Sequence, residues 1–173
     1  MSEQAELGVA PLGDSDFVIG KLRVLTTSEL RFFHVACEPT PMANLDPELN
    51  RLMPLLESAQ VEAGIAAAGT VVTRYYPVED SDLYVLEVGV PVKPEVLPAG
   101  EAKIKTLAPL RCAALLYWGS LEHIGDAYGA LIGALREAGM VNRGEGREWY
   151  YHFEGDVSPH NVIELQLEVV SGA

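Results

Sequence analysis

The sequence predicts an α+β domain made of two similar halves that share one largely antiparallel sheet, and three observations carry that prediction. The order strand, helix, strand, strand occurs twice along the chain. Consecutive strands inside each half are joined by short polar turns, Pro77-Val78-Glu79-Asp80-Ser81 and Glu154-Gly155-Asp156-Val157-Ser158-Pro159. Such turns suit antiparallel pairing and not the long crossovers of a parallel sheet. The 173 residues are 49% apolar, enough for one shared core. The chain therefore reads as a single domain over 1–173, with an extended lead-in at 1–16, a first repeat at 21–93 and a second at 101–170.

The lead-in mixes Gly8, Pro11, Gly13 and Asp14 with few periodic apolar positions. Lys21 to Leu25 begins a strand, and Leu30 to Ala36 is a second run of β-formers. Asp46-Pro47-Glu48 starts a helix: aspartate accepts from the orphan N–H groups, and proline at the first turn sacrifices no bond. Leu49, Leu52, Met53 and Leu56 recur at helical spacing. Pro54 inside that run predicts a bend or an early end, with Gly64 near the terminus. Strands at Thr70 to Tyr76 and Asp82 to Val92 complete the first half. The second half repeats the order: Ala102 to Leu107, the continuous apolar run Leu110 to Trp118, then a helix capped by Ser120. That helix carries a stripe of Ile124, Ala127, Tyr128, Leu131 and Leu135 and ends at Gly139. Strands at Arg147 to Phe153 and Val162 to Val170 follow. The halves align at their ends, Glu87-Val88-Gly89-Val90 with Glu164-Leu165-Gln166-Leu167, and at their starts, Leu30-Arg31 with Leu110-Arg111.

The formal net charge of −13 repels phosphate backbones and argues against nucleic-acid binding over a broad surface. Cys37 and Cys112 each stand alone, which predicts two buried thiols and neither a zinc site nor a disulfide framework. His34, His123, His152 and His160 show no ligand spacing, so no metal is expected, and no cofactor or nucleotide motif is present. No apolar run reaches the roughly 18 residues of a membrane span, and Met1 to Leu7 lacks the pattern of a signal peptide. A cytoplasmic protein is expected.

Glu164 interrupts an apolar strand. Alternation puts Ile163, Leu165, Leu167 and Val169 on the face under the helices, and Glu164 with Gln166 and Glu168 on the other. Glu87 has the corresponding place in the first half and is expected to pair with an arginine such as Arg74 or Arg111. Trp149, Tyr150 and Tyr151 precede Glu164's strand across a turn. Either Tyr150 with His152 or Trp149 with Tyr151 shares Glu164's face, depending on register. Tyr117 and Trp118 end the earlier strand of the same half, Phe33 lies in the equivalent strand of the first half, and together they complete a candidate aromatic wall. Aromatic faces around a carboxylate suit a flat lipophilic cation through stacking, cation–π attraction and charge pairing.

These pieces resemble the GyrI-like small-molecule-binding family, which also supplies the effector-binding domain of some AraC-type and MerR-type regulators. The resemblance spans Leu22 to Val169. It rests on Glu87-Val88-Gly89-Val90-Pro91-Val92, on Gly125-Asp126-Ala127-Tyr128 with Leu131, and on Arg147-Glu148-Trp149-Tyr150 followed by Ser158-Pro159 and Ile163-Glu164-Leu165. It implies two pseudo-symmetric βαββ repeats forming a curved sheet, with two main helices on one face and a ligand cleft on the other. It also implies that Glu164 is the cleft carboxylate for lipophilic, often cationic aromatic ligands, with Tyr150 as the conserved tyrosine; Trp149, Tyr117, Trp118 and Phe33 are the further ligand contacts expected from the aromatic wall itself. The chain departs from the family where relatives carry His and then Gly-Pro-Tyr before the second helix; here Tyr117 to Leu121 stand instead. A stand-alone sensing or sequestering protein is implied. The alternative implied by the resemblance is a hydrolase opening strained cyclopropane rings, with Glu164 activating water and Tyr150 assisting.

Overall fold

The computed structural model describes residues 17–66 and 70–171; the expected lead-in at 1–16 lies outside them. The strands are β1 (Phe17–Ile19), β2 (Arg23–Thr26), β3 (Leu30–Ala36), β4 (Thr40–Pro41), β5 (Val71–Pro77), β6 (Leu83–Pro91), β7 (Lys103–Leu107), β8 (Arg111–Gly119), β9 (Met140–His152) and β10 (Val162–Ser171). The helices are α1 (Leu45–Ala63) between β4 and β5 and α2 (Ile124–Glu137) between β8 and β9. All ten strands join one curved antiparallel sheet in the order β1-β8-β10-β9-β5-β6-β3-β7, with β2 also on β8 and β4 on β6. The halves meet at β5 and β9. This is the α+β architecture that the sequence predicts.

Leu52, Leu56 and Ala59 of α1 are buried against Phe33, Val35, Leu86, Val88 and Val90. Ala127, Leu131 and Leu135 of α2 are buried against Leu115, Tyr117, Ile163, Leu165 and Leu167. Each buried leucine contributes on the order of 2 kcal/mol. α1 runs through Pro54, contrary to the expected break. The ring lies on the exposed side, so the helix forgoes only the bond to the Asn50 carbonyl while the buried leucines on either side hold its course. Gly64 closes α1 at φ 70°. Ser120 makes no side-chain cap; a 3₁₀ turn at Leu121–His123 leads into α2 instead.

The sheet's curvature has an identifiable support. β2 pairs with β8 and β7 with β3 in one unbroken register, from Arg23↔Ala114 through Leu30↔Leu107 to His34↔Lys103. Segments 23–34 and 103–114 thus form a single antiparallel ribbon that runs from one end of the sheet to the other. Its inward side chains fill the face away from the helices: Phe32 and Leu107 pack with Val72 and Trp149 of the sheet, and Leu110, Cys112 and Ala114 pack with Leu25. Cys37 and Cys112 are both buried and free. Among the described residues no helix is long and apolar enough to cross a membrane.

Candidate functional site

The join between the halves places Thr73 of β5 directly opposite Glu148 of β9. Around this pair Thr73-Arg74-Tyr75-Tyr76 matches Glu148-Trp149-Tyr150-Tyr151, so a pseudo-twofold axis passes between Thr73 and Glu148. Alternation then separates two sets of side chains. Thr73, Tyr75, Glu148 and Tyr150 face the helices; Arg74 and Trp149 face the ribbon side.

On the helix side the Glu148 carboxylate accepts hydrogen bonds from Tyr128 (2.5 Å, Oε1), Tyr150 (2.5 Å, Oε2) and Thr73 (3.3 Å, Oε2). Tyr75 donates in turn to the Tyr128 oxygen at 3.3 Å. Burial pushes the Tyr75 phenol up to about 12. Burial and then the Glu148 charge hold Tyr128 and Tyr150 well above the ordinary tyrosine value, so both remain O–H donors. Gly146, opposite Tyr75 across the strands, leaves the space that ring occupies; a Cβ there would run into it.

Two cavities open along this line, on the side of the sheet that carries the helices. One of about 470 Å³ is walled by Leu49, Asn50 and Met53 of α1 and by Tyr150, Tyr151 and Phe153 of β9 and its turn. The other, about 440 Å³, is walled by Leu45, Tyr75, Tyr84, Tyr128, Ile132 and Glu148. Leu49 and Thr73 border both. Each volume is in the range that small-molecule sites use.

The ribbon side differs chemically. Glu87 is buried and takes a salt bridge from Arg74 at 3.0 Å, a second from Lys105, and the Tyr76 hydroxyl at 3.3 Å. Burial alone would raise its pKa, but the Lys105 hydrogen bond and the Arg74 and Lys105 charges hold it below the usual carboxylate range. Of the two arginines that the sequence offered, Arg74 and Arg111, it is Arg74 that bonds Glu87. Arg74 and Arg147 also share Glu145. Glu164 accepts from Arg23 at 3.1 Å and from Gln166 at 2.6 Å, and Trp149 donates to Gln166 at 3.2 Å.

The side chains proposed from sequence thus divide between two faces. Trp149 lies opposite Glu164, and Tyr151, the extra residue of a bulge, stacks on Trp149 at 6.4 Å. Register therefore puts Trp149 on Glu164's face, while Tyr151, unpaired at the bulge, stacks on Trp149 and also borders the larger cavity. Trp118 pairs with Val162 and shares that face. Tyr150 pairs with Ile163 and lies on the helix side, so Glu164 and Tyr150 are on opposite faces and cannot act on one substrate. Tyr117 is fully buried on the helix side and donates to the Ser120 carbonyl at 2.5 Å. Phe33 is buried beneath α1, and Phe32 is the ring on the ribbon side. The expected cleft around Glu164 is filled because the ribbon crosses that face, leaving Glu164 only 8% exposed. The sequence reading passed over Glu148, Tyr75 and Tyr128 as site residues. Extending the repeat alignment into β5 and β9 would have singled out Glu148 as the one charged residue on the axis between two Tyr-Tyr pairs.

No protein-family model matches the chain, and no curated protein does. Solved structures do. The C-terminal domain of EcmrR superposes with a TM-score of 0.67 at 12% identity over 88% of this chain and 98% of that one. SAV2435 bound to tetraphenylphosphonium gives 0.63 at 12% identity, over 87% and 94%. A hydrolase encoded by lin2189 from Listeria innocua gives 0.53 at 12% identity, over 87% and 92%. At such identities the likeness shows the fold alone.

Proposed function

We propose that this protein binds lipophilic aromatic cations in the groove between α1 and α2, for sensing or sequestration, with Glu148 as the ligand's counter-charge and Tyr75, Tyr128 and Tyr150 as walls. One observation carries the reading. Glu87, Glu145 and Glu164 are each paired with a basic side chain, whereas Glu148 is held by hydroxyls alone among the described residues. A half-buried carboxylate costs less when donors satisfy it, yet its charge stays unneutralised and available to a cation. The ligand of the similar SAV2435 structure, tetraphenylphosphonium, belongs to the same chemical class. Calorimetric titration with tetraphenylphosphonium tests the proposal; binding at micromolar concentration that Glu148→Gln weakens supports it, and no binding at millimolar concentration defeats it.

Hydrolysis is the second reading, favoured by the 2.5 Å contact of the Tyr150 hydroxyl with Glu148. In that reading Glu148 takes a proton from an attacking water and Tyr150 gives one to the leaving atom, a general base and acid on adjoining side chains. Mass spectrometry of a cyclopropane-bearing electrophile incubated with the protein separates the readings: a product heavier by one water supports catalysis, and unchanged substrate at equimolar protein excludes it.

A further inference from the structure

The groove divides evenly about the pseudo-twofold axis. Its two cavities are nearly equal, about 470 and 440 Å³, and they adjoin where Leu49 and Thr73 border both. Tyr150 and Tyr75, the repeat-related rings beside the axis, go one to each. Three aromatic rings line either cavity: Tyr150, Tyr151 and Phe153 the larger, Tyr75, Tyr84 and Tyr128 the smaller. No lysine or arginine lines either one.

Glu148 stands at the boundary, and its two oxygens serve different cavities. Oε1 accepts from Tyr128, a wall of the smaller, and Oε2 accepts from Tyr150, a wall of the larger. Thr73, which borders both, also donates to Oε2 at 3.3 Å. Asp46 and Asp156 border one cavity each, but both are exposed and water screens their charge. The half-buried negative charge therefore lies between two aromatic chambers and not deep within one.

That placement selects for where a ligand carries its positive charge. A cation whose rings all lie on one side can set its charge against Glu148 only by leaving the rings of one chamber uncovered. A cation held between two aromatic arms meets Glu148 and puts one arm in each chamber, burying apolar surface in both. Each chamber alone is near the lower end of the volumes that small-molecule sites use, and the two together approach the upper end.

We propose that the groove is selective for two-armed cations, in which a single positive charge links two flat aromatic groups, with the charge at Glu148 and one arm in each cavity. This rests on the reading of Glu148 as the ligand's counter-charge and adds the shape of ligand that it selects.

The test compares two isomeric cations of equal charge and ring count by calorimetry on the full chain. Bis(naphthylmethyl)dimethylammonium carries its charge between the arms, and trimethyl(binaphthylmethyl)ammonium carries it at one end. The first is expected to bind one to one and at least about tenfold tighter than the second. Phe153 lines the larger cavity and Ile132 the smaller, and both side chains are exposed, so alanine at either position leaves the fold intact, which circular dichroism checks. Phe153→Ala and Ile132→Ala should each weaken the two-armed isomer by about threefold or more, whereas the end-charged isomer responds to one of them alone. Equal affinities, no binding of the two-armed isomer, two of its molecules per chain, or its indifference to either substitution overturns the proposal. Single-cation binding then still stands if Glu148→Gln weakens tetraphenylphosphonium. If neither isomer nor tetraphenylphosphonium binds, the reading of Glu148 falls as well.

Discussion

Replacing Glu148 with Gln removes one charge while keeping the length of the side chain and an amide oxygen for the Tyr128, Tyr150 or Thr73 hydroxyls. A phosphonium shielded by phenyl rings brings its charge to about 5 Å from a carboxylate, worth roughly 3 kcal/mol at an effective dielectric constant near 20. Part of that gain is offset because the carboxylate surrenders hydration, and because the tyrosine dipoles already stabilise it. A net loss of about 1.4–2.8 kcal/mol corresponds to roughly a 10- to 100-fold weaker Kd for tetraphenylphosphonium in E148Q. The assay is calorimetry at fixed salt, with neutral triphenylphosphine oxide as the comparison, whose affinity should change by less than about threefold. Equal losses for the cation and the neutral compound would mean that the substitution deformed the groove, and the electrostatic argument would fail.

Further outcomes follow from the same geometry. Trp118 and Trp149 both lie on the ribbon side, so tetraphenylphosphonium in the groove should leave the tryptophan emission maximum unmoved; a blue shift would put the ligand beside Glu164 instead. Gly146→Ala forces the Tyr75 ring out of its place and should cost about 1–3 kcal/mol in urea unfolding, with weaker cation binding; an unchanged midpoint would show that the ring relocates freely. Leu131 is fully buried, and Leu131→Ala should lose about 2–5 kcal/mol by the same measurement. Glu87 has a lowered pKa in the folded state. The stability it contributes is therefore fully present above the unfolded carboxylate value of about 4.3 and is lost as pH falls through its lower folded value. Glu87→Gln should make stability less steep in pH over that acid window, and an identical acid-unfolding profile would count against the salt bridges' contribution.

The fold was legible in the sequence because its signals are local. Helical spacing in Leu49, Leu52, Met53 and Leu56, turn residues between strands, and the matching ends of the halves all rest on patterns readable along the chain. The face assignment of Glu164 was legible for the same reason, since alternation needs only the strand itself. What escaped was long-range. Whether Tyr150 meets Glu164 depends on a bulge between Val162 and Ile163, which no pattern in either strand announces. The burial of the Glu164 face depends on a ribbon formed by segments far apart in the chain. Glu148 looked unremarkable inside Arg147-Glu148-Trp149-Tyr150 because its partners Thr73 and Tyr128 come from the other half and from α2. Pro54 misled for the opposite reason: a local rule was overridden by the burial of the leucines around it.

The ribbon also bears on how the chain must assemble. Although the halves resemble each other, neither is complete: the strand that leads into β3 is bonded to β8, and the strand that leads into β8 is bonded to β3. Pairings between such distant segments form late and slowly, after the loop-closure entropy has been met. A chain cut within the 93–101 linker should give two fragments that are individually unstructured and become ordered only on mixing. Each half is thus the template on which the other is finished.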